Sequence, residues 1–127
     1  MSVIEGAVRD LLEKTEFLTI VTEGPDGPHV VGNWGEYLRR MGFDGDRLVF
    51  PAGYYRKTEE NLRRNARVQV LAASRAVDGS HGPGQGCLLH GTASILSEGG
   101  LVDRAKAAFP WARGVLVIDV DRVELQL

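Results

Sequence analysis

Tyr54-Tyr55-Arg56-Lys57-Thr58-Glu59-Glu60-Asn61 marks the place where a predicted strand, residues 47–51, gives way to a predicted helix, residues 58–65. The first turn of a helix carries unpaired backbone N–H groups and the positive end of the helix dipole. Two cations and a Thr hydroxyl lie at this point, which is a favourable arrangement for binding a phosphate. The alternative is that Thr58 is an ordinary N-cap with exposed cations beside it.

Apolar and β-branched runs on both sides of this stretch predict the rest of the fold. Six strands are expected, at residues 17–22, 29–37, 47–51, 68–73, 87–96 and 115–127. Helices are expected at residues 2–14, 58–65 and 101–109, the first with Ser2 as its N-cap, and residues 77–86 are expected to form a long loop. Strands joined by short hairpins, with helices at the periphery, favour a small closed or nearly closed antiparallel barrel.

The last predicted strand changes phase. Its apolar residues alternate up to Val120 and resume out of step at Val123. Because alternate residues of a strand face opposite sides, a slip of one residue predicts a bulge or sharp bend near Asp121 and Arg122.

Length and composition predict a single domain over residues 1–127. The chain has a formal net charge of −2 and no long run of like charge, which argues against a nucleic-acid partner. It has no apolar stretch long enough to span a membrane, and its N-terminus does not have the pattern of a signal peptide. With Cys87 as its one cysteine, the chain is expected to be cytoplasmic.

Residues typical of metal binding or catalysis do not form a recognisable pattern. His81, Cys87 and His90 match no usual zinc spacing, so no metal site is predicted. The glycine-rich GPGQG at residues 82–86 lacks the spacing of a nucleotide-binding loop and leads into a strand. No side chain is placed as a nucleophile or as a general acid or base, so no catalytic residue is predicted.

Three aromatic residues lie near predicted loops. They are Trp34, Tyr37 and Trp111. Core packing is one interpretation, and a flat surface for a planar ligand is the other. Gly32 and Asn33, beside Trp34, would allow close backbone approach and amide hydrogen bonding to such a ligand.

Taken in order, the motifs of this chain resemble those of the flavin mononucleotide (FMN)-binding split-barrel family, which includes the pyridoxamine phosphate oxidases. The resemblance is strongest to the small FMN-binding members from sulfate-reducing bacteria. It rests on DGPHVV (26–31), PAG (51–53), KTE (57–59), SR (74–75), GPGQG (82–86) and WAR (111–113), together with Trp34 and Tyr37. These motifs span nearly the whole chain.

The resemblance implies a mainly β protein with peripheral helices, a six-stranded antiparallel split β-barrel. It also implies a homodimer with one non-covalently bound FMN per subunit near the subunit interface. Lys57 and Thr58 would bind the phosphate, and the other implied residues would lie along the flavin. The implied cofactor-binding residues are Val31, Gly32, Asn33, Trp34, Tyr37, Pro51, Ala52, Gly53, Lys57, Thr58 and Trp111.

Two departures from the family pattern concern the site. Position 32 is Gly where an amide side chain is expected, and Tyr54, Tyr55 and Arg56 also differ from the pattern. The substrate-binding arginines and histidine of the true oxidases are not recognisable, which argues against pyridoxamine phosphate oxidation.

The function expected from the resemblance is electron transfer by a bound flavin, with an unknown redox partner. One alternative is an FMN-dependent reductase of a flavin, quinone or nitro compound. The other is a barrel that binds a different ligand, such as haem or a deazaflavin, or none.

Overall fold

The computed structural model describes residues 2–127, which form seven strands and four helices. The strands are β1 Phe17–Gly24, β2 Gly27–Trp34, β3 Phe43–Asp44, β4 Arg47–Ala52, β5 Arg67–Gly79, β6 Gly82–Leu96 and β7 Gly114–Gln126. The helices are α1 Gly6–Lys14, α2 Gly35–Met41, α3 Arg56–Arg64 and α4 Gly100–Ala108. All strands belong to one antiparallel sheet with the order β2-β1-β5-β6-β7-β4-β3.

The predicted fold class, mainly β with peripheral helices, is confirmed. The sheet has seven strands rather than six, because Phe43 and Asp44 pair with Leu48 and Arg47 across a tight turn. A two-residue strand is too short to produce a recognisable alternation in sequence. Within residues 2–127 the edge strands β2 and β3 do not pair with each other, so hydrogen bonds do not close the sheet.

The predicted strand 29–37 was too long, because β2 ends at Trp34 and the chain enters α2 at Gly35. The Gly35 N–H donates to the Glu16 carbonyl at 2.8 Å, and a Cβ at position 35 would overlap the Thr15 carbonyl oxygen. Only glycine allows this close approach of the two backbones. It lets the chain turn away from the sheet immediately after Trp34.

The predicted loop at residues 77–86 was also wrong, because β5 and β6 continue through it as a long hairpin. Gly79 pairs with Gly82, whose φ of 123° is readily adopted only by glycine. Alternation is hidden here because the pairing shifts in register between Ser74 and Asp78. Glycine content alone therefore indicated a loop where the structure has an irregular hairpin.

The first helix begins later than predicted, at Gly6, and Ser2 does not cap it. Ser2 Oγ instead donates to Asp46 Oδ1 at 2.7 Å, and the same oxygen accepts the Val3 and Ile4 N–H groups. The hydrogen bond from Ile4, followed by that from Ser2, lowers the pKa of the Asp46 carboxyl. These bonds hold the N-terminal segment against the β3–β4 turn.

The predicted bulge in the last strand is confirmed. His90 of β6 pairs with Arg122 and Gly91 pairs with Val120, so Asp121 is an extra residue in β7. A Cβ at position 91 would overlap the Asp119 carbonyl oxygen, which explains the glycine opposite the bulge.

Two apolar clusters hold the fold together. The larger lies between α1 and the sheet, with Leu11, Leu12 and Phe50 completely buried. Cys87 of β6 belongs to it, and burial raises the pKa of its thiol to about 11. The smaller cluster packs α2 and α4 over β4 and β7 around Phe109, and Tyr37 lies at its border. This smaller cluster supports one wall of the site described next.

Candidate functional site

A cavity of about 730 Å³ opens between the end of β2, the end of β4, the start of α3 and the segment that follows α4. Its size is within the usual range for small-molecule sites. It is lined by Val31, Gly32, Asn33, Tyr37, Pro51, Gly53, Tyr54, Tyr55, Arg56, Trp111 and Arg113. Seven of these eleven residues belong to the predicted set: Val31, Gly32, Asn33, Tyr37, Pro51, Gly53 and Trp111.

Three aromatic rings form one wall. The centroid of Tyr37 lies 4.9 Å from that of Phe109 and 5.6 Å from that of Trp111, and the Phe109–Trp111 distance is 5.5 Å. Phe109 is buried, whereas Trp111 is 50% exposed and so presents part of its indole to the cavity. The indole lies against Gly53, where an added Cβ would come within 3.0 Å of Trp111 Cε3. Tyr37 and Trp111 therefore give the cavity an apolar aromatic wall, with their ring planes inclined at 43°, and the buried Phe109 supports it from behind.

The predicted residue Trp34 does not line this cavity. Its ring makes an edge contact with Phe17, at 5.3 Å between centroids, on an exposed face of the sheet. The Phe17 ring occupies the space where a side chain at position 32 would lie, so a Cβ on Gly32 would overlap it. Gly32 thus accommodates a neighbouring aromatic ring and also leaves its backbone accessible to the cavity.

Arg113 ties the segment after α4 to the loop before α3. Its Nε donates to the Gly53 carbonyl at 2.9 Å and to the Tyr54 carbonyl at 3.1 Å, and its Nη2 donates to Tyr54 at 2.6 Å. Nη2 also lies 3.1 Å from Glu59 Oε1 in a pair of largely buried side chains. These contacts bring together residues about sixty positions apart in the chain, so they were not predictable from the sequence.

The start of α3 differs from an ordinary capped helix. Its N-cap is Tyr55, and no side-chain hydrogen bond caps the first turn in the part of the chain that the structure describes. Thr58 is therefore not the N-cap but the third helical residue, and it is completely buried. Within residues 2–127, Thr58 Oγ1 is the only buried side-chain nitrogen or oxygen without a hydrogen-bond partner. Lys57 beside it is exposed and does not line the cavity.

Glu59 lies in the first turn of α3, where a negative charge would oppose the binding of an anion. Its carboxylate is paired with Arg113 on one side and with Arg63, at 3.4 Å, on the other. These two partners offset the charge, so the positive end of the helix remains available to an anion.

Asn33 and Tyr55 are hydrogen bonded to each other in the lining of the cavity. Asn33 Nδ2 donates to Tyr55 Oη at 2.6 Å, and Asn33 Oδ1 accepts the Trp34 N–H at 2.8 Å. Burial raises the pKa of Tyr55 to about 12, opposed by the hydrogen bond from Asn33. The phenol therefore remains protonated at neutral pH.

Four cavity residues were absent from the predicted set: Tyr54, Tyr55, Arg56 and Arg113. Tyr54, Tyr55 and Arg56 begin the stretch 54–61. Their departure from the family pattern was the one sequence signal that could have marked them as site residues. Of the predicted residues, Ala52 is fully buried in β4 and, like Trp34, Lys57 and Thr58, does not line the cavity.

Comparison with known proteins places this chain in a family. Residues 4–127 match the pyridoxamine 5′-phosphate oxidase family. A protein of Nitratidesulfovibrio vulgaris named FMN-binding protein is 40% identical over 124 residues, covering 98% of this chain and 99% of that protein. The chain therefore belongs to the pyridoxamine 5′-phosphate oxidase family, as its sequence motifs predicted.

Solved structures share the fold at lower identity. HupZ of Group A Streptococcus superposes with a TM-score of 0.76 at 19% identity, covering 98% of this chain and all of that one (100%). A Clostridium acetobutylicum protein of the pyridoxinephosphate oxidase family gives a TM-score of 0.67 at 15% identity, covering 93% of this chain and 84% of that one. Among residues 2–127, no helix is long and apolar enough to cross a membrane.

Proposed function

We propose that this protein binds FMN non-covalently in the cavity and acts as a cytoplasmic electron-transfer protein. The observation that carries the proposal is the buried, unpartnered hydroxyl of Thr58 in the first turn of α3. A buried hydroxyl without a partner is unfavourable, which suggests that a ligand supplies the missing hydrogen bond. The 40% identical relative, named as an FMN-binding protein, supports this choice of ligand.

The start of α3 fits a single phosphate group. Its first-turn N–H groups are free of a side-chain cap, and Arg56 and Lys57, the first two residues of the helix, add positive charge there. Thr58 is fully buried beside the cavity rather than in its lining, so the first turn of α3 would have to shift on binding for Oγ1 to donate to a phosphate oxygen. One phosphate group of this kind is what FMN carries, whereas FAD would require a second anion site.

The aromatic wall fits a planar ring. Tyr37 and Trp111 offer an apolar aromatic surface, and Pro51 of β4 and Gly53 just after it line the cavity beside this surface. When bound, the isoalloxazine of FMN supplies the redox chemistry by taking up and releasing electrons. The protein orients the ring and shields it from water on the side of Trp111.

An FMN-dependent reductase is the second candidate. The cavity is open to solvent beside Tyr54, which is 90% exposed, so a small molecule could enter next to the ring. Steady-state consumption of NADH or NADPH with a quinone or nitro compound would favour the reductase. Reduction and reoxidation that require a protein partner would favour electron transfer.

Thr58→Val tests the proposed phosphate site. We expect the variant to bind FMN at least tenfold more weakly, because a hydrogen bond to a charged group contributes roughly 1.5–3 kcal/mol. We also expect the apoprotein to be as stable as the wild type or more stable, because the unpartnered hydroxyl is removed. Flavin fluorescence titration and thermal unfolding of the apoprotein measure the two effects.

Thr92→Val is the matched control, since Thr92 is exposed on β6, pairs with Arg67 beyond the C-terminal end of α3, and does not line the cavity. It should leave the FMN dissociation constant unchanged. The proposal is wrong if purified wild-type protein does not bind FMN, or if heat releases FAD or haem from it. Equal FMN affinity in Thr58→Val and wild type would remove Thr58 from the phosphate site.

We also propose that the protein is a homodimer that associates through the exposed face of β1, β2 and β5. Phe17 pairs with Trp34 in the register, and Thr19 pairs with Leu71, so these side chains share one face of the sheet with Val30. The apolar ones are 42–57% exposed: Phe17 48%, Trp34 48%, Leu71 42% and Val30 57%. Such a contiguous apolar face is typical of a subunit interface.

Analytical ultracentrifugation should show a species of twice the 13.9 kDa subunit mass. Leu71→Arg should shift the equilibrium to monomer, because it places a charge in the proposed interface. Lys106→Glu, on the exposed surface of α4, which packs on β4 and β7, is the control and should remain dimeric. A wild-type protein that sediments as a flavin-loaded monomer would contradict the proposal.

A further inference from the structure

Tyr55 adopts an unusual backbone conformation next to the cavity. Its φ of 50° and ψ of 26° place it in the left-handed region, which residues other than glycine rarely adopt. Within residues 2–127, the only other non-glycine residue with positive φ is the terminal Leu127. Such strained residues cluster at functional sites, because the surrounding structure must hold them in place.

Hydrogen bonding fixes the direction of the Tyr55 hydroxyl. Asn33 Oδ1 accepts the Trp34 N–H, which orients the Asn33 amide so that its Nδ2 points at Tyr55 Oη. Tyr55 Oη is the acceptor in that bond, so its own hydrogen remains available. In the part of the chain that the structure describes, no protein atom accepts this hydrogen. Both side chains line the cavity, so the hydrogen is free to point into it.

We propose that the Tyr55 hydroxyl donates a hydrogen bond to an oxygen or ring-nitrogen acceptor of the bound flavin nucleotide, and that Asn33 sets its direction. This inference rests on the proposed function, because it assumes that the cavity holds FMN. Tyr55, which departs from the family pattern, would thus take part in binding the cofactor. A left-handed backbone at the N-cap turns the Tyr55 ring back toward β2, where Asn33 can reach it.

The protonation state of Tyr55 suits this role. Because burial raises the pKa of Tyr55 from its usual 10.0 to about 12, the phenol keeps its hydrogen throughout the neutral range. Because the pKa is higher in the folded state than in the unfolded state, the buried phenol contributes to the free energy of unfolding below pH 10. This contribution is lost as the pH rises toward 12.

Tyr55→Phe tests the inference in the intact protein. Removing one neutral hydrogen bond should raise the FMN dissociation constant about tenfold. Thr92→Val is again the control, because it removes a hydroxyl from an exposed residue that does not line the cavity. It should bind FMN like the wild type.

Repeating the titrations with riboflavin, which lacks the phosphate, identifies the acceptor. If Tyr55→Phe weakens only FMN binding, Tyr55 donates to the phosphate. If it weakens the binding of both FMN and riboflavin, Tyr55 donates to the ring or the ribityl chain.

Asn33→Leu gives a second measurement that leaves Tyr55 in place. We expect it to weaken FMN binding, and the loss in the double variant to be smaller than the sum of the two single losses, since both act through one hydrogen bond. Equal FMN affinity in Tyr55→Phe and wild type, with only the apoprotein destabilised, would show that the Asn33–Tyr55 bond is purely structural and would overturn the inference. Wild-type protein that fails to bind FMN would overturn the proposed function, and this inference with it.

Discussion

Arg113→Ala should weaken FMN binding about a hundredfold or more. Arg113 holds the Gly53 and Tyr54 carbonyls through three hydrogen bonds and pairs with Glu59. Each hydrogen bond from a charged donor contributes roughly 1.5–3 kcal/mol, and a loss of about 2.7 kcal/mol corresponds to a hundredfold change. The substitution frees the loop that leads into α3 and leaves Glu59 less well compensated beside the proposed phosphate.

Fluorescence titration with FMN measures this effect, and two variants separate its causes. Arg63→Ala removes the other cation that pairs with Glu59. The Arg63 side chain is 73% exposed and is hydrogen bonded to neither carbonyl. It should weaken binding only slightly, because exposed ion pairs contribute little. Arg113→Lys keeps the charge but cannot reach both carbonyls with one planar group, so an intermediate affinity is expected. Near-wild-type binding by Arg113→Ala would show that the loop holds its shape without this side chain.

Trp111→Ala should make the bound flavin brighter by several-fold and raise its reduction potential. The indole lies against Gly53 and forms the cavity wall with Tyr37, so it is placed to quench the excited ring and exclude water from it. Lower polarity disfavours an anionic reduced flavin, and removing the indole relieves this penalty. A rise of about 30 mV would correspond to about 1.4 kcal/mol for a two-electron couple.

Trp111→Phe separates the two effects on the FMN-saturated protein. Phenylalanine keeps an aromatic surface over Gly53, so the potential should stay near the wild-type value. It is a poorer electron donor than an indole, so the emission should still rise. If Trp111→Ala matches the wild type in both emission and potential, the indole contributes to packing alone and does not contact the flavin.

The fold class and most strands were predictable from the sequence, because the alternation of apolar residues that marks a strand involves only neighbouring residues. The phase slip after Val120 was enough to predict the bulge at Asp121, since alternation in a strand is a property of consecutive residues. The turn into α2 was missed because the requirement for glycine at position 35 comes from the Thr15 carbonyl, twenty residues earlier. The residues around Gly35 carry no sign of this requirement, because it is imposed by a backbone atom that is distant in the sequence.

For the candidate site, the sequence predicted the segments that form it but not the contacts between them. Its main segments, around Asn33, Gly53 and Trp111, were each identified in the sequence, and the fold brings them to one cavity. The contacts among them were not predictable, because the Asn33–Tyr55 bond and the reach of Arg113 to Tyr54 depend on side-chain directions that only tertiary packing sets. Trp34 illustrates the opposite error: its neighbours in sequence enter the cavity while its own ring faces the other side of the sheet.

The burial of Cys87 has a consequence for the lifetime of the protein. A reduced flavin that meets oxygen produces hydrogen peroxide, and the thiolate is the form of cysteine that attacks peroxide and is oxidised by it. Cys87 is inaccessible, with its pKa raised to about 11, and the thioether of Met41 is 3% exposed. If the chain carries FMN, these two sulfur atoms are thus protected from oxidative damage that begins at its own cofactor.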